Sequence, residues 1–507
     1  MPVEFSSFPA NWRLPLYWVE VDPSMAGTFT LAPPALLVGH KFAGGTAESN
    51  VPVAVGDRNT PQGLFGIGSM LERMVQRFFD NNGGQILWCL PIDEPAAGQA
   101  ATGSITVATP PTDAGTLSLY IAGQLVQVAI GATDTTELVA ANIVAAINDL
   151  DTLPVTAALH DSSSSQIDLT CRWKGSTGND IDLRDSYRGS LGGEKLPPGL
   201  SLTYPAGNKL SGGTGVPDFT TAIANLGDEL YEYVAVPFTD TTSLSAWQTE
   251  YGFSSSGRWG WMRQLYGQLY AAKRDTYSNL LVWYAAQNFP ECVMAIEPAA
   301  PTPIWEWTAA FTGEAAIAFT NDPARPLQTL QLIGCLPAPK HQRFNTGQLN
   351  GLASTGAATQ QANANNVPQI MRETTMYRLN LYGAPDDAYT DMTTLATLAR
   401  LLRNQRSAVT SKFPRYKLAD DGTRFGPGQA IVTPSIIKAE LVAEYALDEF
   451  NGLVEDAKVF ARNLIVERDS TNPNRVNVLY PPNLIGQLRI FAVLAQFRLL
   501  GAQQTQS

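Results

Sequence analysis

The chain carries few groups whose spacing could support catalysis. The nearest match to a nucleophile elbow, Gly-Phe-Ser-Ser-Ser at 252–256, lacks the second glycine that would place the serine on a sharp strand-to-helix turn. Ser-Gly-Gly-Thr-Gly at 211–215 is glycine-rich, but no Lys-Ser/Thr follows to reach a phosphate or Mg²⁺, so we interpret it as a hinge. The sequence therefore predicts neither a serine hydrolase nor a P-loop nucleotide site.

Histidines and acidic pairs are the next candidates. His40, His160 and His341 lie far apart, which excludes the two-histidine spacing of zinc hydrolases. Asp-Asp or Glu-Asp pairs at 386–387, 420–421 and 455–456 would need a cleft and one raised pKa to act as acid and base, and we expect them at turns or helix ends. Asn-Asp-Ile-Asp at 179–182 is a weak candidate for Ca²⁺. We expect no catalytic residue, no bound metal and no cofactor.

Composition sets broader limits. The 507 residues suggest about three domains, and 44% apolar residues suffice for sizeable cores. The net charge of −12 argues against a nucleic-acid or anionic-membrane binder, because such proteins show a basic footprint. We find no signal-peptide pattern and no apolar run long enough to span a bilayer, so we expect a soluble protein made in a cytoplasm. The four cysteines lack C-x-x-C spacing and are expected to be buried free thiols in a reducing compartment. They are Cys89, Cys171, Cys292 and Cys335.

One local charge feature contrasts with the acidic whole. Between positions 400 and 417 there are six basic residues and no acidic one. These residues, called the basic patch below, are Arg400, Arg403, Arg406, Lys412, Arg415 and Lys417. Arg403 and Arg406 share a helix face. The patch could meet an acidic partner, or it could be a solvated helix face whose cations complement the helix C-terminus.

The elements that would position these groups begin with an α/β pattern. Short apolar runs at 35–39, 51–55 and 85–90 predict strands, and a helix capped by Ser69 is expected between the last two. After residue 215 the spacing predicts helices at 218–229, 242–251 and 258–274, with strands at 231–236 and 279–284. We interpret the Gln- and Asn-rich stretch 354–368 as a surface loop or linker.

Two further regions have a different character. Residues 96–212 contain short β-rich runs broken by Gly, Thr and Ser, with one helix from Thr135 to about Asn148, which predicts an inserted module. The last third is predicted to contain a strand at 376–382, a helix at 391–410, a helix beginning at Thr433-Pro434, and strands at 463–467 and 476–480.

Both ends of the sequence are apolar segments that the chain cannot easily bury by itself. The first 20 residues are too apolar for a disordered tail and too interrupted by proline for a helix. The last segment alternates apolar and polar residues with a period of two, which is typical of a strand. The residues that carry these interpretations are Phe5, Phe8, Trp12, Leu16 and Trp18 at the start, and Ile490, Val493, Ala495, Phe497 and Leu499 at the end.

Long ordered motifs give the chain a family resemblance. The most specific stretch is 411–435, which contains Ser-Lys-Phe-Pro-Arg-Tyr at 411–416 and Arg-Phe-Gly-Pro-Gly at 424–428. Further matches lie at 64–66, 68–71, 115–123, 175–183, 321–327, 452–455, 464–468, 474–478, 487–490 and 497–499. In these motifs, over nearly its whole length, the chain resembles the contractile tail sheath proteins of Mu-like myophages.

The resemblance implies a non-enzymatic structural subunit of an α/β and α+β multidomain fold, a sheath-type core with an inserted β-rich domain and extended arms. Such subunits polymerise as six-fold rings around a tail tube, with arms adding strands to neighbouring subunits, and contract to drive the tube through the host envelope. The expected partners are other copies, the tail tube protein, and baseplate and tail terminator proteins, without nucleic acid or membrane insertion. The expected location is the virion tail, after assembly in the host cytoplasm.

The resemblance also orders the chain into segments. We expect an N-terminal linking arm at 1–20, the first part of the core at 21–95, an outward-facing insertion at 96–212, the second part of the core at 213–365, a tube-proximal C-terminal domain at 366–483 and a C-terminal linking arm at 484–507. Two alternatives stay open at this point: a sheath subunit of a phage-derived contractile injection particle, and a phage polysaccharide-degrading enzyme.

Overall fold

The computed structural model of the chain describes residues 32–497. Within them lie nineteen strands and eleven α-helices. The strands are β1 (Ala35–His40), β2 (Val53–Val55), β3 (Leu87–Ile92), β4 (Ala100–Thr109), β5 (Gly115–Ile121), β6 (Gln124–Ile130), β7 (Val155–His160), β8 (Ser163–Lys174), β9 (Leu183–Asp185), β10 (Ser201–Thr203), β11 (Tyr233–Ala235), β12 (Gln268–Arg274), β13 (Cys292–Glu297), β14 (Thr359–Ala362), β15 (Pro368–Arg372), β16 (Lys417–Leu418), β17 (Ile431–Val432), β18 (Ile465–Arg468) and β19 (Val476–Leu479). The helices are α1 (Thr60–Phe65), α2 (Met70–Asn81), α3 (Thr136–Asn148), α4 (Thr220–Leu226), α5 (Thr241–Tyr251), α6 (Tyr277–Ala285), α7 (Ile304–Asn321), α8 (Thr346–Ala353), α9 (Met392–Lys412), α10 (Pro434–Phe450) and α11 (Ala457–Asn463).

A six-stranded sheet forms the centre, in the order β13-β12-β11-β1-β3-β2. All its pairings are parallel except that of β2 with β3. β1 and β13 are buried along their whole length, as strands of a covered parallel sheet are. Helices α2 and α7 pack against each other and against this sheet. The α/β layer expected from the sequence is therefore confirmed.

Local sequence signals fix several helix ends as predicted. The Ser69 hydroxyl accepts a hydrogen bond from the Glu72 amide at 3.2 Å and caps α2. The Thr135 hydroxyl caps α3 in the same way, and Pro434 occupies the first turn of α10. The Ser69 and Thr135 hydroxyls satisfy amides that have no partner inside their helices.

Residues 100–203 fold into two antiparallel sheets separate from the central one. Their orders are β10-β4-β8-β7 and β6-β5-β9, and α3 packs against β6, β7 and β8. We call residues 96–212 the inserted module. Its apolar side chains join those of the central sheet in one continuous core, which includes Ile143, Leu169 and Trp173.

The C-terminal unit, residues 384–497, is built differently. Helix α9 lies beside α10, and a second, smaller core gathers around Leu441, Tyr445 and Phe460. The Tyr445 and Phe460 rings stack with centroids 3.7 Å apart. The sheets of this unit have only two strands each, β16 with β17 and β18 with β19.

Two predicted elements after residue 255 were wrong. The segment 258–274 is a tight loop followed by β12. The backbone turns so closely on itself here that a Cβ on Gly257 or Gly260 would lie about 2 Å from a backbone oxygen. The buried Arg258 side chain holds this loop in place by donating to the carbonyls of 227 and 229. The segment 279–284 lies in α6 rather than in a strand. Thr276 caps this helix, and Leu280 and Tyr284, four residues apart, supply its buried face. A continuous apolar run cannot distinguish these two outcomes by periodicity.

Two predictions near residue 370 were also wrong. The Gln- and Asn-rich stretch forms a hairpin, β14 with β15, and the Gln360 side chain is buried against Ile296 and Glu297. The segment 376–382 forms no strand beyond an isolated bridge at Leu379. There the Asn288 side chain accepts hydrogen bonds from the amides of 378 and 379, so a side chain takes the place of a neighbouring strand.

Candidate functional site

The end of the described chain is an extended, exposed segment. Residues 490–497 belong to no strand and make no backbone hydrogen bond within residues 32–497. Their large apolar side chains range from 69% exposed at Val493 to 86% at Leu494, and Phe497 is 83% exposed. Leu499 and the N-terminal candidates Phe5, Phe8, Trp12, Leu16 and Trp18 lie outside the described residues. A run of this composition exposed to water favours a partner that buries it.

The root of this segment, residues 483–489, is held firmly. The Glu455 amide donates to the Asn483 carbonyl at 3.0 Å, and the Ile485 amide donates to the Leu453 carbonyl at 3.2 Å. The Gln328 side chain donates to the Leu488 carbonyl at 3.2 Å. The chain is thus attached to its own subunit up to residue 489. The Leu488 side chain is already exposed, and residues 490–497 are exposed throughout.

The β18–β19 hairpin presents unpaired strand edges. The strands pair antiparallel with each other, and neither has a second strand partner among the described residues. Ile465, Val478 and Leu479 are exposed on it. A lone two-stranded hairpin is marginal in water, and its free edges are templates for another strand.

The structure divides the basic patch into two groups. Arg400 donates to the Thr320 carbonyl at 2.9 Å, Arg403 pairs with the buried Glu232 at 2.7 Å, and Lys412 pairs with Glu440. These contacts tie α9 to the rest of the subunit.

The remaining members of the patch face solvent. Arg406 and Arg415 are exposed and make no ion pair within the described residues, while the Lys417 ammonium donates to the Gln429 side chain at 3.2 Å. Glu232 lies 171 positions from Arg403 in the chain. No local spacing could have revealed that pairing.

Part of the carboxyl edge of the central sheet, at the end of β12, is covered by protein. In open parallel sheets this edge is where ligands usually bind. Here Arg274, at the end of β12, contacts Asp180 of the inserted module at 3.2 Å, and Asp180 accepts from the Ile304 amide at 2.6 Å. Burial raises the pKa of Asp180, against the opposing charge of Arg274. Asp182 pairs with Arg184, so both carboxylates of the motif considered for Ca²⁺ are paired with arginines.

The other candidate groups have structural partners. Asp386 accepts from Tyr377, Asp420 pairs with Arg468 at 3.0 Å, and Asp421 accepts from Ser435. The part of the chain that the structure describes contains no group of three or more potential metal ligands. None of its helices combines the length and hydropathy needed to cross a bilayer. All four cysteines are buried and unbridged, as expected.

Comparison with known proteins gives these surfaces a context. Residues 212–376 match the phage tail sheath protein central domain, and residues 384–498 match the phage tail sheath C-terminal domain. The chain is 40% identical over 501 residues to the Mu-like prophage FluMu tail sheath protein of Haemophilus influenzae, covering 98% of this chain and all of that one. The chain belongs to the phage tail sheath family.

Solved sheath structures align with nearly the whole chain at low identity. A sheath tail protein from Desulfitobacterium hafniense aligns over 92% of this chain and 100% of its own, with 11% identity and a TM-score of 0.45. The contracted helical sheath of the anti-feeding prophage aligns over 97% of this chain and 99% of its own, with 11% identity and a TM-score of 0.46. As a member of the phage tail sheath family, the protein is a structural component of a contractile tail.

Proposed function

We propose that this tail sheath protein polymerises as six-fold rings around a tail tube, linked by arms exchanged between copies, and contracts to drive the tube through the host envelope. The observation that supports it most directly is the exposed segment 490–497, whose apolar side chains lie in water and whose backbone groups have no partner among residues 32–497. Donation of this segment to a neighbour would satisfy both. The N-terminal segment 1–20, with a similar composition, is proposed as the second arm.

We propose the β18–β19 hairpin of a neighbouring subunit as the acceptor. It offers free edges and exposed apolar side chains, which are the two things that a donated strand needs. Addition of strands would turn a marginal two-stranded ribbon into a larger sheet. Each subunit would then be donor and acceptor at once, which is the head-to-tail arrangement that produces open helical polymers.

The proposed energy source is the difference in interface free energy between an extended and a contracted packing. No enzymatic step is part of the proposal. The subunits would assemble in the host cytoplasm and meet the tube, baseplate and tail terminator proteins there.

Electron microscopy of the purified full-length chain, alone and with its tube protein, tests the assembly. We expect hollow, striated cylinders from the intact chain and unassembled subunits after deletion of residues 490–507. Phe497→Asp should also prevent assembly, whereas Gln496→Asp places the same charge on the opposite strand face and should leave cylinders intact. Cylinders from the deletion variant would show that this arm is not the link.

The exposed part of the basic patch is proposed to contact an acidic surface of the tube or of a neighbouring subunit. Arg406→Glu with Arg415→Glu should reduce binding to the tube at least tenfold in co-sedimentation, without altering the fold, because both side chains are exposed and unpaired within the described residues. Arg403→Glu is unsuitable for this test, since it would place a second carboxylate against the buried Glu232. Normal tube binding by the double variant would identify the patch as a solvated face.

A further inference from the structure

A buried ion pair lies where the C-terminal segment leaves the subunit. The Arg489 guanidinium donates to both carboxylate oxygens of Glu373, with Nη1 to Oε2 at 3.1 Å and a second contact from Nη2 to Oε1. It also donates to the Thr393 hydroxyl at 3.3 Å. The Glu373 side chain has no exposed surface, and that of Arg489 is 13% exposed. A two-pronged contact of this kind fixes direction as well as distance.

The partners of Arg489 are themselves held in place. Glu373 accepts a hydrogen bond from the Leu327 amide at 3.3 Å. Asp391 lies 3.8 Å from Arg489 and is held by Arg372 through contacts of 2.8 and 2.9 Å. Arg489 therefore inserts into a charged site built by the chain before and after β15, and by the start of α9.

Arg489 is the last residue of the described chain whose side chain is held inside its own subunit, although Leu488 just before it is already 72% exposed. Arg489 is nearly buried, whereas the next residue, Ile490, is 80% exposed, and no residue from 490 to 497 makes a hydrogen bond within the described chain. Arg489 lies in the region that matches the C-terminal sheath domain, while Glu373 and Leu327 lie in the region that matches the central domain. The ion pair thus joins the last anchored residue of the C-terminal region to the central region.

We propose that the Arg489–Glu373 pair clamps the root of the C-terminal arm to the central region of its own subunit, and so sets the register in which residues 490 onward enter a neighbouring copy. Arg489 acts as a positioning residue for a second copy of this chain. A register slip of one residue would move Val493 and Phe497 to the opposite face of the acceptor sheet, so a fixed starting point determines which side chains become buried. This inference rests on the proposed exchange of arms.

Amide hydrogen exchange of the full-length chain, below its assembly concentration, tests the clamp without requiring assembly. The main variant combines Arg489→Gln with Glu373→Gln, which removes both charges, leaves a neutral hydrogen-bonding pair and strands no buried charge. We expect exchange of the peptide 483–489 to become at least tenfold faster, while a reference peptide in α7 is unchanged. Arg489→Lys keeps the charge but not the two-pronged contact and should give an intermediate rate.

Arg475→Gln is the matched control, because Arg475 is a largely exposed arginine whose nearest carboxylate oxygen, on Asp469, is 3.8 Å away. It should leave exchange at 483–489 unchanged. Unchanged exchange in the double variant, or equal acceleration in α7, would overturn the clamp, since the pair would then have no local role. If the exchange results are as expected but the wild-type chain forms no cylinders, the clamp stands and the proposed function fails.

Discussion

The inserted module and the C-terminal unit are stabilised in different ways. The inserted module has two antiparallel sheets, shares the main core and is joined to the central fold by buried arginines. Arg73 of α2 donates to the carbonyls of Ala122 and Thr152 at 3.0 and 2.9 Å, and Trp173 packs edge-on against Trp305. The C-terminal unit has a small core, two-stranded sheets and exposed apolar side chains.

This difference indicates where assembly acts. The inserted module has larger sheets and shares the main core, so we expect it to gain less from a neighbour than the C-terminal unit does. A unit with open strand edges and exposed Ile465, Leu479 and Phe497 gains from one. We therefore expect stability of the isolated subunit to depend on the inserted module and its contacts, and polymer formation to depend on the C-terminal unit.

The largest effect expected on the isolated subunit comes from Glu306→Ala. The Glu306 side chain is buried and contacts Arg73 at 2.6 Å and Arg77 at 2.7 Å. Burial alone would raise its pKa, but the charges of the two arginines outweigh burial and lower it. Its removal leaves the nearly buried Arg73 without a carboxylate partner and Arg77 with Asp80 alone. We expect a loss of about 3–5 kcal/mol in the free energy of unfolding, measured by urea titration. A loss below about 1 kcal/mol would show that apolar packing alone holds the module.

A smaller, pH-dependent effect is expected in the C-terminal unit. Burial raises the pKa of Asp448, on α10, to about 6, and its carboxylate accepts from the Asn404 amide at 2.6 Å. Because the pKa of Asp448 in the folded state lies above its ordinary value of 3.8, protonation of its carboxyl group favours the folded state. This contribution to the stability of the subunit is complete below pH 3.8 and is lost as the pH rises through 6. Asp448→Asn should remove this dependence and stabilise the unit at pH 7 by about 1 kcal/mol.

Urea unfolding at pH 4 and pH 7, followed by exchange within α10, measures this effect. Asp456→Asn is the control, because Asp456 is exposed and has a positive φ that asparagine tolerates. If Asp448→Asn leaves the pH dependence of stability unaltered, Asp448 is not the group that makes the C-terminal unit sensitive to pH.

The smallest effect is expected from Lys174→Ala, at the base of the inserted module. Lys174 pairs with Glu94 at 3.7 Å, and both side chains are more than 40% exposed. Such pairs contribute little, so we expect a change within about 0.5 kcal/mol in thermal unfolding. A change comparable to that of Glu306→Ala would mean that the module depends on its surface contacts rather than its buried ones.

Local signals predicted much of the fold, and long-range pairings account for the remainder. Ser69 and Thr135 bind amides within a turn of their own position, and Pro434 supplies a backbone angle suited to a first helical turn, so their roles were visible in the sequence. The hairpin at Gln360 was missed because its polar side chains are satisfied by Ile296 and Glu297, more than sixty positions away.

The candidate surfaces show the same division. The alternation of apolar and polar residues near the end of the chain was visible in the sequence, and the structure shows that residues 490–497 are exposed. The partners Glu232 for Arg403 and Glu373 for Arg489 were not visible there, since 171 and 116 positions separate them. Buried ion pairs between residues so far apart in the chain produce no periodic pattern in the sequence.

The four unbridged cysteines bear on how the tail ages. The thiolate is the form that oxidants attack, and burial raises the pKa of every one of these thiols, that of Cys171 to about 12. Almost no thiolate is therefore expected at neutral pH, and all four side chains are buried within the subunit. We therefore expect a sheath made of such subunits to resist disulfide cross-linking in aerated water, which would otherwise lock neighbouring copies together before contraction.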